Sequence, residues 1–104
     1  MPVITVFRSR LKPGMEAEYE SLAEEISALA QTMPGYIEEK TFVAHDGERV
    51  TIVLFADRES HDAWRDHDRH REAQAVGKAK LYAEYRLYSA EIDYHRNFSS
   101  DALR

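Results

Sequence analysis

Cysteine is absent from this 104-residue chain. Disulfides, iron–sulfur clusters, thiolate zinc sites and cysteine nucleophiles are thereby excluded, because each requires a thiol. Glycine is scarce, and Gly14, Gly35, Gly47 and Gly77 are scattered. No glycine-rich loop follows a strand-like segment, so there is no phosphate cradle for a nicotinamide or a nucleotide. Long apolar runs are also missing: no stretch approaches the roughly 18 residues of a membrane span. The opening MPVITVFRSRLKPG lacks the charged, apolar, then small order of a secretory signal. The expected location is the cytoplasm, with no membrane partner. Positive charge is in deficit, 14 Lys and Arg against 19 Asp and Glu, for a net charge of −5. Nucleic-acid binders concentrate basic side chains on one surface, so no nucleic acid is expected as a partner. Tryptophan occurs once, at Trp64.

What remains is an ordinary globular composition at a length that suits one domain of about 100–150 residues. Residues 3–11, VITVFRSRL, alternate with the period of a strand. Lys12-Pro13-Gly14 ends it. From Met15 to Met33 the apolar positions Met15, Tyr19, Leu22, Ile26, Leu29 and Met33 step by four and three along one helical stripe. Pro34-Gly35 stops that helix. Tyr36–His45 and Glu48–Ala56 read as two strands joined at Asp46-Gly47, a signature of a type I′ hairpin turn. Asp57 or Ser60 is positioned to cap a second helix that breaks near Asp66 and runs to about Lys78. Leu81 to Tyr94 read as a long last strand, and a polar tail occupies residues 96–104. Residues 1–95 are expected to form the single domain.

The order strand, helix, strand, strand, helix, strand is that of an α+β, ferredoxin-like split β-α-β fold with a four-stranded antiparallel sheet. The third strand carries Val50, Ile52 and Leu54 on one side and Val53 and Phe55 on the other. The last carries Leu81, Ala83, Tyr85 and Leu87 opposite Tyr82, Tyr88, Ile92 and Tyr94. Two helices cover only one face of such a sheet. Because monomers seldom expose apolar patches beyond a few hundred Å², the second face is expected to meet a second copy of the chain.

A set of residues carries a family likeness: Pro34-Gly35-Tyr36 opening the second strand, Trp64 followed by His67 and His70, then Ala73-Gln74, Gly77, Tyr82 and Tyr85. With them the chain resembles the antibiotic biosynthesis monooxygenase family of the dimeric α/β-barrel superfamily, over roughly residues 3 to 95. The resemblance implies a homodimer with sheets packed face to face and a pocket in each subunit between sheet and helices. Members of that family oxidise polyketide anthrones or quinols without metal or flavin, some degrade haem, and others isomerise small metabolites.

That likeness implies a cofactor-independent monooxygenase acting on a small aromatic substrate and oxygen. A deprotonated phenolic or enolic substrate reduces O₂ directly, so the protein must supply a base, donors for the oxyanion and a dry aromatic pocket. Imidazole titrates near neutral pH, which makes His70 the first candidate base and His67 the second. Ser9, Tyr82 and Arg86 are the candidate oxyanion donors, and Phe7 and Trp64 the aromatic walls. Trp64 can equally be a core anchor, and both roles can coexist. No cofactor is expected. Haem-degrading relatives place an iron-ligating His about ten residues beyond the Trp and an Asn on the first strand, where this chain has Gln74 and Ser9. Anthrone oxygenases carry an Asn four residues before the Trp, where this chain has Ser60. His67, His70 and Asp66 lie close in sequence, yet the i, i+4 histidine pair of a helical zinc site is missing, so no metal is expected. The alternatives are a non-catalytic small-molecule-binding or stress-associated homodimer, or an isomerase of the same superfamily.

Overall fold

A computed structural model describes residues 1–100. The alternation in the first segment becomes β1 (Val3–Leu11), which buries Val3, Thr5 and Ser9 on one face. It is a central strand, paired antiparallel with β3 (Arg49–Phe55) on one side and β4 (Tyr82–Glu91) on the other. Strand β2 (Tyr36–Val43) pairs with the outer edge of β3, giving the order β2-β3-β1-β4. This is the α+β, ferredoxin-like arrangement expected from the order of elements.

The first helix, α1 (Glu16–Thr32), forms over the apolar stripe and buries Tyr19 and Ala30. Gly35 then turns the chain into β2 with φ +84°, and a Cβ there would stand 2.3 Å from Ser60 Oγ. Only glycine satisfies both the backbone angle and the space. The hairpin between β2 and β3 differs from the expected type I′ turn. Gly47 alone has positive φ, whereas a type I′ turn requires it at Asp46 as well. Gly47 N–H instead donates to Ala44 O at 2.9 Å and Ala44 N–H to Glu48 O at 2.8 Å. The connection is a three-residue loop closed by a glycine bulge.

The second helical region breaks at Asp66 as expected, into α2 (Arg58–Arg65) and α3 (Asp68–Val76). Asp57 caps α2 by accepting from Ser60 N–H at 2.8 Å. His67 leaves the helix with ψ 135°, and its Nδ1 accepts from Arg69 N–H at 3.1 Å, which caps α3. A π-helical turn, Gly77–Leu81, leads into β4. That strand ends at Glu91, three residues short of the expected Tyr94. Residues 92–100 form no helix or strand, and the expected tail continues into 101–104, outside the described residues.

The main core cluster joins Ala30, Val53, Phe55 and Trp64, with Met33 and Tyr36 against it. Trp64 therefore fastens an otherwise polar α2 to the sheet. The opposite sheet face carries Ile4, Val6, Val50, Ile52 and Leu54 in register with Tyr88 and Ala90. No helix of the described residues lies on it: Tyr88 is 52% exposed and the aliphatic residues are only half-buried. No helix among the described residues is long and apolar enough to cross a membrane.

Candidate active site

Between the helices and the covered face of the sheet lies a cavity of about 380 Å³, within the range of small-molecule sites. Alternation along β1 directs Thr5 and Phe7 into it, β3 contributes Thr51 and Val53, and β4 contributes Tyr85, Leu87 and Ser89. Leu22 and Ile26 form the α1 wall, and Trp64 and His70 the roof. Most of the enclosed surface is therefore aliphatic or aromatic, with polar groups at a few places.

The aromatic side chains fall into two groups. At the roof the indole of Trp64 is sandwiched between Phe55 (centroids 5.3 Å, planes 28° apart) and the imidazole of His70 (4.2 Å, 22°). Along β1 and β4, Phe7 contacts Tyr82 and Tyr85, each at 5.4 Å between centroids. Tyr82 and Tyr85 are three apart, so a regular strand would send them to opposite faces, as the alternation predicts. A shift of register between Arg10 and Leu11 leaves Ala83 unpaired and returns Tyr82 to the same face as Tyr85. Burial raises the pKa of the Tyr82 hydroxyl, so it stays protonated and able to donate.

His70 Nδ1 lies 3.2 Å from Arg65 O. A carbonyl only accepts, so Nδ1 carries the proton and Nε2 of the neutral ring keeps its lone pair. Burial lowers the pKa of His70, because the apolar surroundings disfavour the cation. Trp64 is 6% exposed, and its Nε1–H is buried with no acceptor among the described residues. A buried donor left without a partner costs about 1–3 kcal/mol, which favours any bound group that supplies one.

The remaining predicted site residues are placed elsewhere. His67 is engaged as the α3 cap and does not line the cavity. Arg86 pairs with Arg8 in the β1–β4 register and faces the opposite side of the sheet, because it adjoins the inward-facing Tyr85. Ser9 is 1% exposed and its hydroxyl has no partner among the described residues, but it is buried outside the cavity lining. Ser60 Oγ donates to Asp57 O at 3.1 Å. Gln74 lines the cavity.

Several polar residues of the lining escaped the sequence reading, among them Glu39, Arg58 and Ser89, and the most deeply buried is His61. His61 is 3% exposed, with Nε2 2.7 Å from Thr5 Oγ1 and Nδ1 2.9 Å from Asp62 Oδ1. In the neutral ring the carboxylate fixes the proton on Nδ1, so Nε2 accepts the Thr5 hydroxyl. This buried chain ties α2 to β1, and removing the ring would leave the Thr5 hydroxyl only the longer contact to Ser89 Oγ at 3.4 Å. The available signal was spacing: His61 lies three residues before Trp64 and so shares its helical face.

Fold, cavity and residue pattern together place the chain in a defined class. It belongs to the antibiotic biosynthesis monooxygenase family, whose model matches residues 2–76. The matched span ends before β4, so the Tyr82, Tyr85, Leu87 and Ser89 wall lies beyond it. An uncharacterised protein of Bacillus subtilis (strain 168), YqjZ, is 26% identical over 100 residues, covering 96% of this chain and 88% of the relative. Among solved structures, Rv0793 from Mycobacterium tuberculosis superposes with a TM-score of 0.80 at 17% identity, covering 92% of this chain and all of that one. A mutant of SnoaB, a cofactor-independent oxygenase from Streptomyces nogalater, gives 0.78 at 17% identity, covering 90% and 95%. At these identities the structural likeness establishes the fold.

Proposed function

We propose that the protein is a cofactor-independent monooxygenase for a small aromatic substrate of phenolic, quinol or polyketide-like type. The observation that carries this reading is a half-buried imidazole, His70, stacked on Trp64 at the roof of an aromatic cavity, where burial favours its neutral form. Family membership and the fold shared with SnoaB support it.

In this reading His70 Nε2 removes a proton from the substrate, and the resulting anion is delocalised over the ring system. Trp64 and Phe7 hold the ring, while the Trp64 N–H and the Tyr82 hydroxyl are donors for the developing oxyanion. The anion passes one electron to O₂, and the radical pair combines to a peroxide at the same carbon. Loss of the distal oxygen, with protons from protonated His70 and the substrate carbon, yields a carbonyl and water. One methylene and one O₂ thus become one carbonyl and one H₂O, with all electrons drawn from the substrate.

Oxygen uptake with a panel of anthrones, quinols and catechols tests the assignment. Enzyme-dependent consumption of one O₂ per substrate, without accumulation of H₂O₂, is expected for at least one member. Uptake no faster than in buffer across the panel removes the oxygenase reading. Turnover under nitrogen would instead indicate an isomerase.

The uncovered face of Ile4, Val6, Ile52, Leu54 and Tyr88 supports a homodimer in which two such sheets pack together. Sedimentation equilibrium is expected to give twice the 12.1 kDa chain mass. Ile52→Asp should reduce it to one chain, since an unpaired carboxylate cannot be buried in that interface. A single chain at micromolar wild-type concentration would end the dimer assignment.

A further inference from the structure

Two arginines line the cavity, Arg58 and Arg65. Arg65 is neutralised by Asp62 and Asp66. Arg58 has no carboxylate within ion-pairing distance among the described residues; its Nη1 instead donates to Ser89 Oγ at 3.0 Å. Ser89 lies beside Thr5, hydroxyl oxygens 3.4 Å apart, and Thr5 is held by buried His61. At the β4 side of the cavity, a cation without a counter-ion thus sits at an exposed rim beside two hydroxyls; Lys78, from the turn after α3, also lines the cavity and has no carboxylate partner among the described residues. The other side carries the opposite charge. Glu39 on β2 also lines the cavity and accepts from Ser27 Oγ. Strands β2 and β4 are the two edges of the sheet, about 14 Å apart at roughly 4.8 Å per strand.

From this polarity we infer that the ligand of the cavity is an aromatic acid, with its carboxylate on Arg58 and Ser89 and its ring between Phe7 and Trp64. A guanidinium offers five N–H donors in a planar fork that matches a carboxylate, and only one direction is taken by Ser89. Glu39 repels an acid bound the other way round, so the arrangement fixes orientation as well as charge. The inference rests on the cavity being the ligand site and is independent of the oxygen chemistry.

The test is calorimetric titration of the full chain with 2-naphthoate and with its neutral isostere 2-naphthamide, at neutral pH. The wild type is expected to bind the acid at least about tenfold more tightly than the amide, as a charge-assisted bond outweighs a neutral one. Arg58→Gln should cost the acid at least about tenfold and the amide, which loses only a neutral acceptor's bond, much less, so that the two probes bind alike and the retained amide affinity shows the cavity intact. Arg58→Lys should keep part of the preference. Equal binding of the two probes, a preference that survives Arg58→Gln, or binding of neither overturns the inference. A carboxylate preference without oxygen uptake on any substrate would remove the oxygenase reading and leave this one standing. Uptake without the preference would do the reverse.

Discussion

His70→Ala is expected to lower kcat on the best oxidisable substrate by about 10²–10⁴-fold, the usual contribution of a positioned general base. The variant should fold, because His70 covers one face of an indole that Phe55 still supports from the other. His67→Ala should leave kcat near the wild-type value, since that ring caps α3 and does not line the cavity. The pH profile gives an independent readout. The base works as neutral imidazole, and burial favours that form, so kcat/KM should rise with pH along an acid limb whose midpoint lies below the unperturbed value of about 6.5. An acid limb centred above that value, or unchanged turnover in His70→Ala, would remove His70 from the base position. The same shift links to stability with a definite sign. Above about 6.5 the ring is neutral in both states and nothing is lost. As pH falls toward the lowered folded pKa, the unfolded chain takes up the proton first, and stability declines.

Trp64→Ala is expected to cost about 3–5 kcal/mol, the range for truncating a buried large aromatic. Domains of this size hold about 5–15 kcal/mol in all, so the loss approaches the whole margin. Trp64 is the aromatic that joins α2 to Phe55 on the sheet and to His70 on α3, and no other large apolar side chain of α2 is buried. Thermal unfolding followed by far-ultraviolet circular dichroism checks this, with a drop of roughly 4–8 °C per kcal/mol. Trp64→Phe separates packing from binding. It keeps an aromatic ring against Phe55 and His70 but deletes the Nε1–H, so it should fold, with kcat/KM reduced through loss of the donor. Wild-type kcat/KM in that variant would show that the indole N–H takes no part in the reaction.

Much of the architecture was legible in the residue pattern. The stripe from Met15 to Met33 requires one amphipathic helix, Gly35 marks the turn that follows it, and alternation in residues 3–11 and 49–55 fixes which side chains face the helices. Alternation also excludes Arg86 from a face that contains Tyr85, a constraint the candidate donor list did not apply. The choice among the histidines was harder for a physical reason. Helical periodicity puts His61 and His67 each three residues from Trp64, but the chain leaves the helix at His67, which resets the phase. His61, before the break, keeps the face of Trp64; His67 becomes a cap; and His70, on the next helix, returns to the indole.

Composition and periodicity were enough to set the order of elements, the lack of thiol chemistry and of a phosphate-binding loop, and the place of the lone indole on a polar helix. These follow from local rules, composition and the period of each element. Which groups meet became visible once the elements were packed. The bulge at Ala83 puts Tyr82 beside Tyr85, and folding brings His61 to Thr5 across 56 positions and Arg58 to Ser89 across 31. Such contacts depend on strand register and helix docking, which are set by the sum of all packing interactions and leave no periodic trace in any single segment.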